Sequence, residues 1–173
     1  MNTITTETQE THDKDIFTLS LYYPMTKIKD NLFFGSMLAF DYIDLFSHMK
    51  IKHIISLRKI NVDPWGIQLH SYYTSHKDFC NKFPKMIQEI FTLYKLAKES
   101  NDNIFIHCKS GQHRSATIVI AILMKFYDMD YNTAFDFTKG LRPCVEDVYI
   151  INKDTWTLTV NSKYLGYYHS RVG

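Results

Sequence analysis

Cysteine is scarce in this chain, with only Cys80, Cys108 and Cys144 among 173 residues. A sparse, odd set of thiols is no disulfide framework and reads as reduced cysteines in a cytosolic-type compartment. Long apolar runs are missing as well, since nothing approaches the roughly 20 consecutive residues of a membrane-spanning helix. The opening MNTITTETQETHDKD lacks a basic segment followed by an apolar one and does not read as a secretory signal. Charge of one sign is not in excess. With 20 Lys and Arg against 18 Asp and Glu, the formal net charge of +2 demands neither nucleic acid nor an anionic membrane, although a local basic patch is compatible with it. Internal repeats and low-complexity linkers are absent too, so the chain reads as one domain with room for a sizeable core.

What is present is apolar and aromatic: 45% hydrophobic and 15% aromatic residues, a globular composition. The threonine-rich and charged residues 1–20 read as a loose or conditionally ordered arm, residues 21–155 as the folded domain, and residues 156–173 as an aromatic tail. IKDNLFFGS predicts a short strand with Gly35 as its turn, and MLAFDYIDLFSHM has helical spacing. KHIISL predicts a buried strand, INVDPWG a loop, and IQLHSYY another strand. From Phe79 to Ala97 apolar residues recur at steps of three and four, one face of an amphipathic helix. Because proline lacks the N–H donor and crowds the preceding turn, that helix is expected to begin close to Pro84, with residues 78–83 as a distorted entry. NIFIH predicts a strand and SATIVIAILMKFY a buried helix; YNTAFDFTK predicts a further helix, and GLRPCVED a turn into a last one. Strands alternating with helices imply an α/β fold with a central, mainly parallel sheet flanked by helices.

The stretch FIHCKSGQHRSATIVIAILM, residues 105–124, interrupts the most apolar region with its densest run of reactive groups. The order strand, short loop, buried helix sets those groups at the carboxyl end of a strand and the amino end of a helix. Unpaired N–H groups and partial positive charge make such an end an anion site. Gly111 lets the loop curl into a nest of N–H groups, and Arg114 adds a planar fork for two phosphate oxygens. A thiol at that entrance, Cys108, is pushed toward thiolate and becomes a nucleophile aimed at phosphorus. Ser115 can donate a hydrogen bond to the sulfur as it leaves, and His107 orders the loop.

HCKSGQHRS matches HCxxGxxR[ST], and the chain resembles the dual-specificity branch of the cysteine-dependent protein tyrosine phosphatases over about residues 25–152. The resemblance implies a protein tyrosine phosphatase-like fold over residues 21–155. It also implies Cys108 as nucleophile, Arg114 as phosphoryl ligand and Ser115 as the aid to thiophosphate breakdown. The N–H groups of Lys109, Ser110, Gly111, Gln112, His113 and Arg114 line the cradle, and no metal or organic cofactor is implied. Arg142 matches an arginine that many relatives carry near the substrate groove, or else is a surface charge capping a helix.

One part of the pattern is missing. Relatives place an aspartate as general acid on the loop before the long helix, and here that loop reads SYYTSHKDF. Asp78 is its only carboxylate and is either the acid or a helix cap. His76 can also deliver a proton, and Asp63 is a further candidate. The substrate implied first is a phosphoprotein, phosphotyrosine with phosphoserine and phosphothreonine beside it. A phosphoinositide, an RNA 5′-triphosphate and a weakly active phosphate-binding module are the alternatives. The expected location is cytoplasmic or nucleocytoplasmic; oligomeric state is not legible.

Overall fold

The protein is described by a computed structural model that covers residues 5–61 and 65–166. Helix α1 spans Thr5–Tyr22, and strands β1 (Met25–Lys29) and β2 (Leu32–Gly35) follow it. Helix α2 (Ile43–His48), strand β3 (Ile51–Ser56), strand β4 (Gln68–Ser71) and helix α3 (His76–Glu99) come next. Strand β5 (Asn103–His107) leads into helix α4 (Arg114–Phe126) and then helix α5 (Tyr131–Leu141). A hairpin of β6 (Tyr149–Asn152) and β7 (Thr157–Val160) follows.

The main sheet has the order β1-β2-β5-β3-β4; β2, β5, β3 and β4 run parallel, and β1 is antiparallel at the edge. Successive side chains in a strand point to opposite faces, and the core divides accordingly. Leu32, Phe34, Ile55, Ile104 and Ile106 face the layer of α3 and α4, while Phe33, Ile54 and Phe105 face α2 and the turn before it. Both faces of β5 are therefore covered, and β5 presents its carboxyl end to the loop that follows. Helix α4 is buried from Arg114 to Met124, which fixes the other end of that loop. Each large apolar side chain taken out of water there contributes about 1.5–3 kcal/mol, so the loop hangs between two well-anchored elements.

Five expectations are corrected. IKDNLFFGS is a hairpin rather than one strand, because Asp30 takes φ 45° and turns the chain between β1 and β2. Gly35 closes β2 instead of making the turn; a Cβ there would meet the Pro24 carbonyl oxygen at 2.0 Å. The predicted helix over MLAFDYIDLFSHM is broken at Tyr42 (φ −123°, ψ 70°) into a 3₁₀ turn, Met37–Asp41, and α2. Helix α3 starts at His76, eight residues before Pro84, because Ser75 caps it and Asp78 returns the bond. The Ser75 hydroxyl accepts from the Asp78 N–H at 3.2 Å and donates to the Asp78 carboxylate at 3.2 Å, so both bonds run through the capping hydroxyl. Phe79 and Phe83 are fully buried ahead of the proline, so packing outweighs the one ladder bond that Pro84 removes.

The fifth correction concerns the ends. GLRPCVED leads into the β6–β7 hairpin, not a helix: YIIN and TLTV alternate buried and exposed residues, and Trp156 turns at φ 50°. Phe79 meets Tyr149 edge-on at 4.9 Å, and Phe91 meets Trp156 at 4.8 Å, so the hairpin packs along α3. The aromatic tail thus begins inside the fold, and residues 167–173 lie outside the described residues. Residues 5–20, read as a loose or conditionally ordered arm, are helical and belong to α1. The Ser20 hydroxyl accepts from the Cys144 N–H at 3.0 Å, which ties α1 to the segment after α5.

Candidate active site

The loop from Cys108 to His113 curls because its carbonyls are drawn outward. Arg142 donates from Nε to the Gly111 carbonyl and from Nη2 to the Ser110 carbonyl, both at 2.9 Å. The Glu146 N–H takes the Gln112 carbonyl at 3.2 Å, and the Met37 N–H takes that of Lys109 at 3.0 Å. With the carbonyls held outside, the N–H groups turn inward, and those of Gly111 and Ser115 help to lower the Cys108 thiol pKa. Gly111 has φ +67°, and a Cβ there would lie 2.6 Å from the Gly35 carbonyl carbon and 2.9 Å from Arg142 Nη2. Only glycine fits.

Cys108 is 2% exposed, and burial raises its thiol pKa. Arg114, the Ser115 hydroxyl and the N–H groups of Ser115 and Gly111 oppose that and prevail, so the net shift is downward. The Ser115 Oγ lies 3.2 Å from the sulfur. Arg114 opens α4, 5% exposed, and donates from Nη1 to the Thr74 carbonyl at 2.5 Å. Its Nε is buried and has no hydrogen-bond partner. A buried guanidinium donor without an acceptor is costly, and an anion in the cradle would satisfy it.

His107 Nδ1 donates to the Cys108 carbonyl at 3.1 Å. Its imidazole lies edge-on to Phe40 at 4.9 Å and stacked on Phe105 at 5.8 Å. Burial, with help from Arg114 and Arg58 and against the carbonyl bond, pushes its pKa down to about 4. A neutral ring held on the loop backbone orders the loop and is not poised as a base. On the opposite rim, the Glu146 carboxylate accepts from the Gln112 amide and from His113 Nε2 at 3.3 Å, while its other oxygen accepts from Tyr164 at 3.2 Å. The bond from His113 leads the causes that hold its carboxyl below the usual range. Lys109 is exposed at the mouth, beside a groove of about 550 Å³ that it shares with Arg58, Met37, Leu38 and Tyr22.

The structure thus gathers His107, Cys108, Lys109, Ser110, Gly111, Gln112, His113, Arg114 and Ser115 into one loop around one thiol. It treats the remaining candidates differently. Asp78 is exposed, with its carboxylate on the Ser75 hydroxyl, so it sits in the helix cap. The ring of His76, two positions earlier, lies 5.6 Å, edge-on, from that of His113. Asp63 lies outside the described residues. Arg142 is neither a groove residue nor a surface cap. It is 1% exposed behind the loop, and its Nη1 also reaches the Tyr23 carbonyl at 2.6 Å and the Thr26 hydroxyl at 3.2 Å. Glu146 escaped the sequence reading altogether. Its one signal was an acidic residue four positions after Arg142, too little to assign without the hairpin that carries it.

Residues 32–165 match the family described as the dual specificity phosphatase, catalytic domain. The chain belongs to that family. A probable rhodanese domain-containing dual specificity protein phosphatase of Dictyostelium discoideum is 30% identical over 128 residues, 73% of this chain and 27% of that protein. Human dual specificity protein phosphatase 16 is 39% identical over 67 residues, 39% of this chain and 10% of that one. The chain therefore spans between about a tenth and a quarter of the length of these two relatives. Among solved structures, human DUSP28 aligns with a TM-score of 0.64 at 19% identity, covering 71% of this chain and 84% of that one. The PTP-2 phosphatase of Cydia pomonella aligns with a TM-score of 0.63 at 20% identity, covering 80% and 99%. At such identities the structures show the shared fold. A mixed α/β domain is what the alternation of strands and helices implied, and a protein tyrosine phosphatase-like sheet is what the resemblance implied.

Proposed function

We propose that this chain is a dual-specificity-type protein phosphatase that hydrolyses phosphotyrosine, with phosphoserine and phosphothreonine as further substrates, through a phosphocysteine intermediate. The observation that carries the reading is the pairing of a thiol biased toward thiolate with the unpartnered buried Nε of Arg114 in one nest of N–H groups. An oxyanion of tetrahedral shape answers both at once. Cys108 attacks phosphorus, Arg114 and the loop N–H groups hold the equatorial oxygens, and Ser115 stabilises the sulfur when it departs. No metal is needed for these steps. A thiolate nucleophile requires a reducing compartment, which supports a cytoplasmic or nucleocytoplasmic site of action, and all three cysteines are free. No helix among the described residues is long and apolar enough to cross a membrane.

Phosphate release from phosphotyrosine and phosphothreonine peptides, a phosphoinositide and an RNA 5′-triphosphate tests the reading. Turnover of the peptides above the other two is expected. Cys108→Ser should abolish it while orthovanadate still binds, because the cradle and Arg114 persist. A Ser variant that keeps more than a few per cent of the rate, or a strong preference for the inositide or the RNA end, overturns the assignment.

A further inference from the structure

Among the described residues the phosphatase reading leaves the leaving-group proton without an assigned donor, because Asp78 serves the cap of α3. We propose that His76, fixed by Tyr149, delivers that proton in this chain. The inference rests on the phosphatase reading and names the residue that completes it.

Three observations meet at His76. It is the first residue of α3, two positions after Thr74, whose carbonyl holds Arg114 Nη1. The segment that carries it is thereby pinned to the phosphate-binding guanidinium. Its ring stands edge-on against that of His113, a residue of the cradle itself. Its Nδ1 lies 2.8 Å from the Tyr149 hydroxyl, and the two rings are stacked at 6.3 Å with 12° between their planes. Tyr149 is 1% exposed, and its hydroxyl donates to the His76 carbonyl at 3.5 Å. The Tyr149 contact at Nδ1 fixes the plane of the ring, and the proton to be delivered is assigned to Nε2. Beside the ring stand Tyr149 from β6 and His113 from the cradle, whose Nε2 meets Glu146 from the segment after α5, and Lys77 and Asp78 follow it in α3.

The steps balance as follows in the imidazolium form. The Cys108 thiolate attacks phosphorus, the P–O bond breaks with its pair on the leaving oxygen, and that oxygen takes the Nε2 proton. Water then attacks the phosphocysteine and gives a proton to neutral Nε2, and the S–P pair returns to Cys108. Phosphate is released, and thiolate and imidazolium are restored. Tyr149 keeps its bond to Nδ1–H throughout and acts as a positioning residue.

The experiment is a series of aryl phosphates of graded leaving-group pKa, followed across pH with the wild type, His76→Gln and His76→Asp. Loss of the proton donor should cost His76→Gln about 10²-fold in kcat on poor leaving groups. The loss should be less than about threefold where departure needs no proton, and the basic limb of the pH profile should flatten. His76→Asp should recover much of the rate on poor leaving groups, with the basic limb displaced by about two units to lower pH, as a carboxylic acid replaces an imidazolium. A uniform loss across the series, or none, overturns the assignment. Should His76→Gln fail to fold, His76→Asp decides: a basic limb displaced to lower pH on poor leaving groups supports His76, and a limb left at its wild-type position rejects it. Folded wild-type protein that turns over no aryl phosphate defeats the phosphatase reading instead, an outcome distinct from active enzyme with an indifferent His76.

Discussion

The two sides of the cradle use the same side chain for opposite ends. On the inner side Arg114 donates once to Thr74 and keeps a buried Nε without a partner. On the outer side Arg142 gives Nε, Nη1 and Nη2 to the carbonyls of Gly111, Tyr23 and Ser110 and to the Thr26 hydroxyl. Both guanidiniums are buried, so burial does not distinguish chemistry from scaffolding. The distinction is in what remains unsatisfied. Of these two guanidiniums, the one with a nitrogen left waiting faces the ligand site, and the engaged one holds that site in shape.

Arg114→Lys breaks the comparison on its inner side and should have the larger effect on turnover. Lysine keeps the charge but cannot make two parallel bonds to an equatorial oxygen pair. A fall in kcat of about 10²–10³-fold is expected, the size of losing one preorganised donor to a developing oxyanion. Steady-state rates on an activated aryl phosphate measure it, and a Lys variant within about tenfold of wild type would show that charge alone suffices.

Arg142→Met tests the outer side, and its first signature should be stability rather than rate. Removing the guanidinium leaves the carbonyls of Ser110, Gly111 and Tyr23 without their charged donor. Hydrogen bonds to charged groups contribute about 1.5–3 kcal/mol each, and partial relaxation leaves a net loss of about 3 kcal/mol. For a chain of this size that lowers Tm by roughly 6–12 °C. Calorimetry should show the drop, with Arg114→Lys displaced much less. An unchanged Tm with a selective rise in KM for peptide substrates would return Arg142 to the substrate groove.

The cradle was legible in the sequence because its chemistry is local. Cys108, Gly111, Arg114 and Ser115 fall within eight positions, between a strand and a helix that apolar patterning locates on its own. The supports were not legible, since each acts across the fold. Arg142 meets Tyr23 over 119 positions and Ser110 over 32; Tyr149 meets His76 over 73. Contacts of that span depend on how the β6–β7 hairpin folds back along α3, and the same RPCVED stretch read equally well as the start of a helix. Helix α3 failed differently: Pro84 argued for a late start, while a cap nine residues earlier and two buried phenylalanines decided it.

The smallest expected effect belongs to Asp78, the carboxylate that the sequence offered as an acid. In the structure it returns the Ser75 hydroxyl's bond at the first turn of α3 and is exposed to water. Asn at that position still accepts from Ser75 and loses only the favourable charge at the helix amino end, about 0.3–1 kcal/mol. Asp78→Asn should therefore lower Tm by no more than about 4 °C, leave kcat within about twofold, and keep the wild-type dependence on leaving-group pKa. The last of these is the discriminating measurement, because a capping residue has no means of responding to the leaving group. A steep loss confined to poor leaving groups would mean that the carboxylate leaves Ser75 when substrate binds and swings over the cradle. The entrance would then be a moving part, unlike the loop floor, and the proton would come from Asp78 rather than from His76.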